Sequence, residues 1–282
     1  MSASVGAAPT GIGRSVSLNG LRLHYLDWGT AGKQPLVLLH GIARSAHNFD
    51  HLAPHFTARF HVLAVDMRGH GDSDWHPAGA YFVEDYVSDI EALIDSLGLR
   101  RIVLWGNSTG GRVAQMIAGR HPARVSAAII EDVGPERPAA ISSRRASRMK
   151  EEESGWASVE DLLAKTKIDY PRTPDHVLRA FVEHASCRRA DGRIIWKRDP
   201  AILKGFVPTE LWDTVGRITA PIAYIVGGAS AIVPLETQQR LSAMLPRAEI
   251  TTLPGLGHYP SDEEPARFLE VVDQFLARAL PA

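Results

Sequence analysis

The sequence predicts an α/β fold: a mostly parallel sheet covered by helices on both faces, with a helical cap insertion. Three observations predict it. Apolar, strand-like runs alternate with stretches of helical spacing through most of the chain. Near the amino terminus, an Asn19-Gly20 dipeptide separates two strand-like runs. Between Pro135 and about Thr209 the alternation stops, and charge-richer helical runs replace it.

Taken in order, Ser15–Leu18 and Leu21–Tyr25 flank Asn19-Gly20, the strongest short-range signal for a hairpin, so the sheet begins there. Strand candidates follow at Leu36–Leu39, Phe60–Val65, Ile102–Trp105, Ala127–Asp132, Ile222–Val226 and Glu249–Leu253. Helical spacing marks Val83–Leu97, Gly111–Arg120 and Pro265–Leu280. Parallel strands need crossovers long enough for a helix, so this alternation implies a parallel sheet buried on both faces. The interrupting stretch holds helix-like runs at Ser142–Glu152, Ser158–Lys165 and Pro174–Ser186 and no clear strand. The expected division is a core of residues 1–135 and 210–282 and a helical cap of residues 136–209. An insertion of this kind belongs above the carboxyl ends of the strands, where α/β proteins bind ligands. No internal repeat or low-complexity tract competes with this reading.

With 282 residues, the chain is long enough for one large domain carrying an insertion. Its 31 Lys and Arg nearly balance its 32 Asp and Glu, and the cations are scattered rather than striped, which argues against a nucleic-acid or anionic-membrane surface. The single cysteine, Cys187, excludes an internal disulfide framework, fits a reducing compartment and reads as an inert cap residue. Met1–Gly13 lacks the basic start and long apolar core of a signal peptide, and no apolar run approaches membrane-spanning length. The expectation is a cytoplasmic protein.

Chemistry concentrates at Gly106-Asn107-Ser108-Thr109-Gly110, directly between the Ile102–Trp105 strand and the helical run from Gly111. A serine at so sharp a turn projects its hydroxyl from the sheet edge, and the flanking glycines let neighbouring segments approach without a Cβ clash. The first N–H groups of the following helix point at the same spot and favour developing negative charge there. Ser108 is therefore the candidate nucleophile. Its hydroxyl is protonated at neutral pH and needs a base. Of the 12 histidines, His258 stands out, because Leu253-Pro254-Gly255-Leu256-Gly257-His258 follows the last strand and would deliver an imidazole to the same sheet edge. His51 and His55 sit four apart, but Pro54 and the lack of nearby cysteine speak against a metal pair. His24, His47, His61, His76, His121, His176 and His184 have no companion motif and read as surface or structural residues.

Together with His40-Gly41 after a strand, the loop Asp66–Ser73 and Gly257-His258 near the end, the Gly106–Gly111 run resembles the α/β-hydrolase family across nearly the whole chain outside the cap. The resemblance implies the α/β-hydrolase fold, with the backbone N–H groups of Ile42 and Thr109 as the oxyanion hole. It leaves His40 and the Asp66–Ser73 loop as bracing elements. It also implies an acid after Ile222–Val226, but the segment there reads Gly227-Gly228-Ala229-Ser230-Ala231-Ile232-Val233-Pro234, with Ser230 where the resemblance places an Asp. An imidazole needs a carboxylate to orient it and offset its charge. Ile129-Ile130-Glu131-Asp132-Val133-Gly134-Pro135 offers two, and alternation along a strand lets only one face the site. Asp132 is the choice and Glu131 the alternative. The offset of Asp132 from Ser108 resembles that of haloalkane dehalogenases and some small esterases. Ser230 would then hydrogen-bond the Asp132–His258 pair. A halide-removing reaction is disfavoured, since those enzymes use an aspartate nucleophile.

The chemistry so implied is acyl transfer to water with no metal or organic cofactor, acting on a carboxylic ester of a small molecule. Similar hydrolases with the acid on the same strand cleave the amide of a small dicarboxylate ring-cleavage product, so an amidohydrolase or C–C bond hydrolase is the alternative. A ligand receptor or binding protein on the same fold is the non-enzyme alternative. Candidate substrate-binding residues in the cap are Trp156, Tyr170, Trp196 and the cluster Arg144, Arg145 and Arg148. The arginines read first as a solvated helix face, and the sharper alternative is that one guanidinium pairs with a substrate carboxylate. The two tryptophans serve equally well as packing residues. The expected partner is a small-molecule substrate, without nucleic acid or membrane, and self-association into a homo-oligomer stays open.

Overall fold

The computed structural model describes residues 10–42, 44–136, 152–205 and 209–281. β1 (Ile12–Leu18) and β2 (Leu21–Asp27) pair antiparallel around Asn19 and Gly20, whose φ angles of 51° and 77° are those a two-residue hairpin loop demands. The hairpin forms one edge of an eight-stranded sheet ordered β1-β2-β4-β3-β5-β6-β9-β10. β3 (Gln34–Leu39), β4 (Phe60–Val65), β5 (Ile102–Asn107), β6 (Val125–Glu131), β9 (Ile222–Gly227) and β10 (Ala248–Leu253) pair in parallel with one another. Every strand expected from the sequence is present.

Alternation of side chains splits the core into two layers. Beyond the short α1 (Ala53–Phe56), Val37, Leu39, Leu104, Ile130 and Tyr224 pack against α2 (Val83–Ser96) and α3 (Thr109–Arg120) on one face. Leu38, Trp105, Ile129 and Ala223 point to the other face, where Phe268, Val272 and Phe275 of the carboxyl-terminal helix (Pro265–Ala279) cover them. Burial on both faces explains why the central strands are continuous apolar runs.

Helices Val159–Asp169 (α4) and Asp175–Ala185 (α5) lie in the expected cap, and Leu162, Leu178, Phe181, Val182 and Ile194 give that segment a small core of its own. The cap is not purely helical, contrary to the sequence expectation. Ser186–Arg188 (β7) and Ile194–Trp196 (β8) form an antiparallel hairpin whose turn contains Asp191-Gly192, with Gly192 at φ 87°. Three-residue strands are too short for alternation to register, and only the Asp-Gly pair signalled the turn. Residues 142–151 of the first expected cap helix, with Arg144, Arg145 and Arg148, lie outside the described residues. Among the described residues, no helix is long and apolar enough to cross a membrane.

Candidate active site

Ser108 connects β5 directly to α3 with φ 50° and ψ −114°, a conformation costly for a residue with a Cβ. The turn closes tightly because its neighbours have no Cβ. A methyl on Gly106 would lie 2.2 Å from the Gly110 carbonyl oxygen, and one on Gly110 would lie 2.1 Å from that of Leu39. The Ser108 N–H donates to the Glu131 carbonyl at 3.1 Å, which fastens the bend to β6.

The segment after β3 passes over Ser108: a Cβ placed on Gly41 would be 3.3 Å from Ser108 Cβ. The Gly41 carbonyl accepts from the Arg44 N–H at 3.0 Å and from His40 Nδ1 at 2.8 Å. His40 is fully buried, which lowers its pKa and keeps it neutral, and its Nε2 accepts from the Met67 N–H at 3.1 Å. With that carbonyl fixed, the trans peptide aims the Ile42 N–H the opposite way. The Ile42 carbonyl is held by His70 Nε2 at 2.8 Å, and burial pushes the His70 pKa down to about 3. Thr109 opens α3, where the first N–H groups have no partner within the helix.

Bracing comes from Asp66, which accepts from the N–H groups of Ala46 at 2.7 Å and Asp72 at 3.0 Å and from His24 Nδ1 at 2.8 Å. Burial alone would raise its pKa, but these bonds hold it below the usual carboxylate value.

β6 ends in the two adjacent carboxylates, and the structure sends them to opposite faces. Asp132 is fully buried at φ 46°, with its N–H on the Ile225 carbonyl at 2.9 Å. Its carboxylate lies 2.7 Å from His258 Nδ1 through Oδ2, accepts the Ser230 hydroxyl at 2.5 Å on the same oxygen, and accepts the Gly227 N–H at 2.9 Å through Oδ1. Asn107 Nδ2 donates to the His258 carbonyl at 3.4 Å, tying the serine turn to the histidine loop. A carboxylate on Nδ1 fixes the imidazole tautomer that leaves Nε2 free to accept a proton. Glu131 points into the other layer. It accepts from Trp105 Nε1 at 3.1 Å and from the Ser261 N–H at 3.0 Å, and complete burial pushes its pKa up to about 8.

Of the candidate cap residues, Trp156 and Trp196 pack edge to face on each other, and Trp196 also stacks on Phe181 at 5.0 Å, so both belong to the cap's own core. Tyr170 meets the ring of Tyr259, the residue after His258, at 5.4 Å. Cys187 is exposed. Sequence reading missed Arg44. Its guanidinium is fully buried, pairs with Asp262 at 3.2 Å and lies over the rings of Tyr259, Phe181 and Tyr170 at 4.0, 4.3 and 4.7 Å. This cation joins the Ile42 segment, the His258 loop and the cap, and its only sequence signal was a charge three residues past Gly41.

Residues 36–271 match the model of the Alpha/beta hydrolase family. The chain is 28% identical to the sn-1-specific diacylglycerol lipase ABHD11 of Mus musculus, over 91% of this chain and 85% of that one. It is 27% identical to the 3-hydroxybutyrate-oligomer hydrolase of Cupriavidus necator, over 92% and 94%. The crystal structure of E-2-(acetamidomethylene)succinate hydrolase superposes with a TM-score of 0.86 at 25% identity, covering 94% of this chain and 99% of that one.

Proposed function

The chain belongs to the alpha/beta hydrolase family and is a hydrolase, and on that premise we propose that it is a serine hydrolase cleaving a carboxylic ester of a small molecule through an acyl-enzyme on Ser108. The observation that carries the reading is the 2.7 Å contact between buried Asp132 and His258 Nδ1, at the edge of the sheet where the strained turn holds Ser108. His258 takes the Ser108 proton as the hydroxyl oxygen attacks the carbonyl carbon. The N–H groups of Ile42 and Thr109 receive the charge on the carbonyl oxygen, and the imidazolium then protonates the leaving alcohol. Water, deprotonated by His258, attacks the acyl carbon and frees Ser108.

One observation favours a neutral ester over a dicarboxylate amide such as the substrate named for the succinate hydrolase. Among the described residues, four cations in or beside the cap are already paired: Arg198 with Glu152, Arg189 with Asp191, Lys197 with Asp72 and Arg44 with Asp262; Arg144, Arg145 and Arg148 lie outside the described residues. The test is labelling with a fluorophosphonate, followed by kcat/KM for a neutral p-nitrophenyl ester and its carboxylate-bearing analogue. Labelling lost in Ser108→Ala and a preference for the neutral ester are expected. No labelling of the wild type would remove the serine mechanism, and a preference for the carboxylate would favour the amidohydrolase reading.

A further inference from the structure

We propose that His47, Asp50 and His184 form a binding site for a divalent transition-metal ion, Zn²⁺ or a near neighbour, which clips the cap to the core. His47 belongs to the short 3-10 turn Ala46–Phe49 that follows the Ile42–Ser45 segment, with Asp50 directly after it, whereas His184 lies in the last turn of α5 in the cap. The two imidazoles stack across the junction, ring centres 3.9 Å apart and planes within 12°. Asp50 Oδ2 is 2.8 Å from His47 Nδ1. One ligand atom from each of the three residues lies within 4.8 Å of the others. Metal bonding at about 2.0–2.2 Å requires the two rings to turn out of their stack until their lone pairs converge on one point.

The donor chemistry selects the ion. Two imidazoles and one carboxylate suit Zn²⁺, Ni²⁺ or Cu²⁺, whereas Mg²⁺ and Ca²⁺ prefer sites made of oxygen alone. All three residues reach solvent, so an ion can enter without unfolding. Asp50, Asp66 and Asp72 are the carboxylates that act on His47, and Lys197 is the cation that acts on His184. Nothing in the proposed hydrolysis uses these residues.

Occupancy would act on the site through two short connections. Three residues before His184 on α5, Phe181 covers Arg44, and Arg44 follows the Ile42 segment whose N–H is proposed to receive the oxyanion. Bridging His47 and His184 therefore fixes the cap helix against that segment.

The test is equilibrium dialysis of the full chain against Zn²⁺ alone, with Mg²⁺ as competitor, for the wild type, His184→Ala, Asp50→Asn and His258→Ala. His184 is exposed in a helix, where alanine is well accommodated, so folding of that variant is checked by circular dichroism. One Zn²⁺ per chain is expected, unaffected by Mg²⁺, with affinity lowered at least about tenfold in His184→Ala and Asp50→Asn and unchanged in His258→Ala. With Co²⁺ as probe, the intensity of the visible d–d bands should fall in His184→Ala in parallel. Absence of stoichiometric binding by the wild type overturns the proposal. So does undiminished binding by His184→Ala, and loss in His258→Ala alone would put the ion on the Asp132–His258 pair instead.

Discussion

Glu131 offers a measurement that reads the interior of this protein directly. Its side chain is fully buried beside Asp132 but on the other face of the sheet, between Trp105 and Ser261, and its pKa rises from 4.5 to about 8. Burial is the largest cause, the neighbouring Asp262 adds to it, and the donors from Ser261 and Trp105 oppose it. Below pH 4.5 the carboxyl carries its proton in folded and unfolded chains alike, and stability does not depend on it. Between 4.5 and about 8 the unfolded chain ionises and the folded chain does not, so folding becomes less favourable as pH rises, by about 1.4 kcal/mol per pH unit. Across the whole window the loss is on the order of 5 kcal/mol, and above it the dependence ends. Glu131→Gln removes this slope, because an amide does not titrate. It also turns an NH₂ group toward Trp105 or the Ser261 N–H, a pH-independent cost of about 1–3 kcal/mol. The variant is therefore expected to be less stable than the wild type near pH 5 and to overtake it on the way to pH 8. Urea denaturation of both proteins at several pH values from about 5 to about 8 measures the difference. A stability difference that stays constant over that range would refute the reasoning, since every other titrating group is common to both chains.

Asp132→Asn is expected to lower kcat for the neutral ester by about three to four orders of magnitude, by favouring the wrong His258 tautomer. Ser230→Ala removes one of three donors to the same carboxylate and is expected to cost roughly tenfold or less; the reverse order of severity in purified variants would place the functional acid elsewhere. Arg44→Met leaves the buried Asp262 without its partner and is expected to destabilise the fold by about 3–5 kcal/mol, most of it recovered in Arg44→Met/Asp262→Asn, as read from thermal melts. Gly110→Ala puts a methyl 2.1 Å from the Leu39 carbonyl oxygen and is expected to leave little soluble folded protein, whereas full solubility would mean that the turn has room to open.

The sheet was legible because its strands are buried on both faces and separated by amphipathic helices, which leaves an unambiguous apolar rhythm. The antiparallel edge was legible because positive φ at two successive residues restricts the turn chemistry to pairs such as Asn19-Gly20. The two-residue period of a strand says only that one of Asp132 and Glu131 faces the site; the preference for Asp132 rests on its place before the Val-Gly-Pro turn and on the family resemblance, and the structure sends Asp132 to the His258 loop and Glu131 to Trp105. What could not be read were contributions without a residue signature. The Gly227 N–H on Asp132 is a backbone group, identical in every sequence, and the Ile42 N–H was indicated only by the family resemblance. Arg44 is the opposite case: its role depends on Tyr170, Phe181, Tyr259 and Asp262 converging from three distant segments, and no local pattern encodes that convergence.

Ser108 and Asp132 share a feature that explains why a carboxylate can stand at the end of β6 at all. Each is the first residue past its strand, each has positive φ, and each donates its N–H to the next strand: Ser108 to the Glu131 carbonyl on β6 and Asp132 to the Ile225 carbonyl on β9. Backbone strain of this kind costs on the order of 1–3 kcal/mol per residue and persists only where surrounding bonds outweigh it. Here the parallel hydrogen-bond ladder supplies those bonds by running one residue beyond the strand, so each side chain turns upward from a fixed peptide rather than from a free loop. The spacing between serine and carboxylate is thus set by the register of β5 on β6, where Asn107 pairs with Glu131, and by that of β6 on β9. An acid after β9 would hang on the Gly227–Pro234 loop. Asp132, one strand further in, stands on the sheet itself, and Ser230 on the loop after β9 donates its hydroxyl to it.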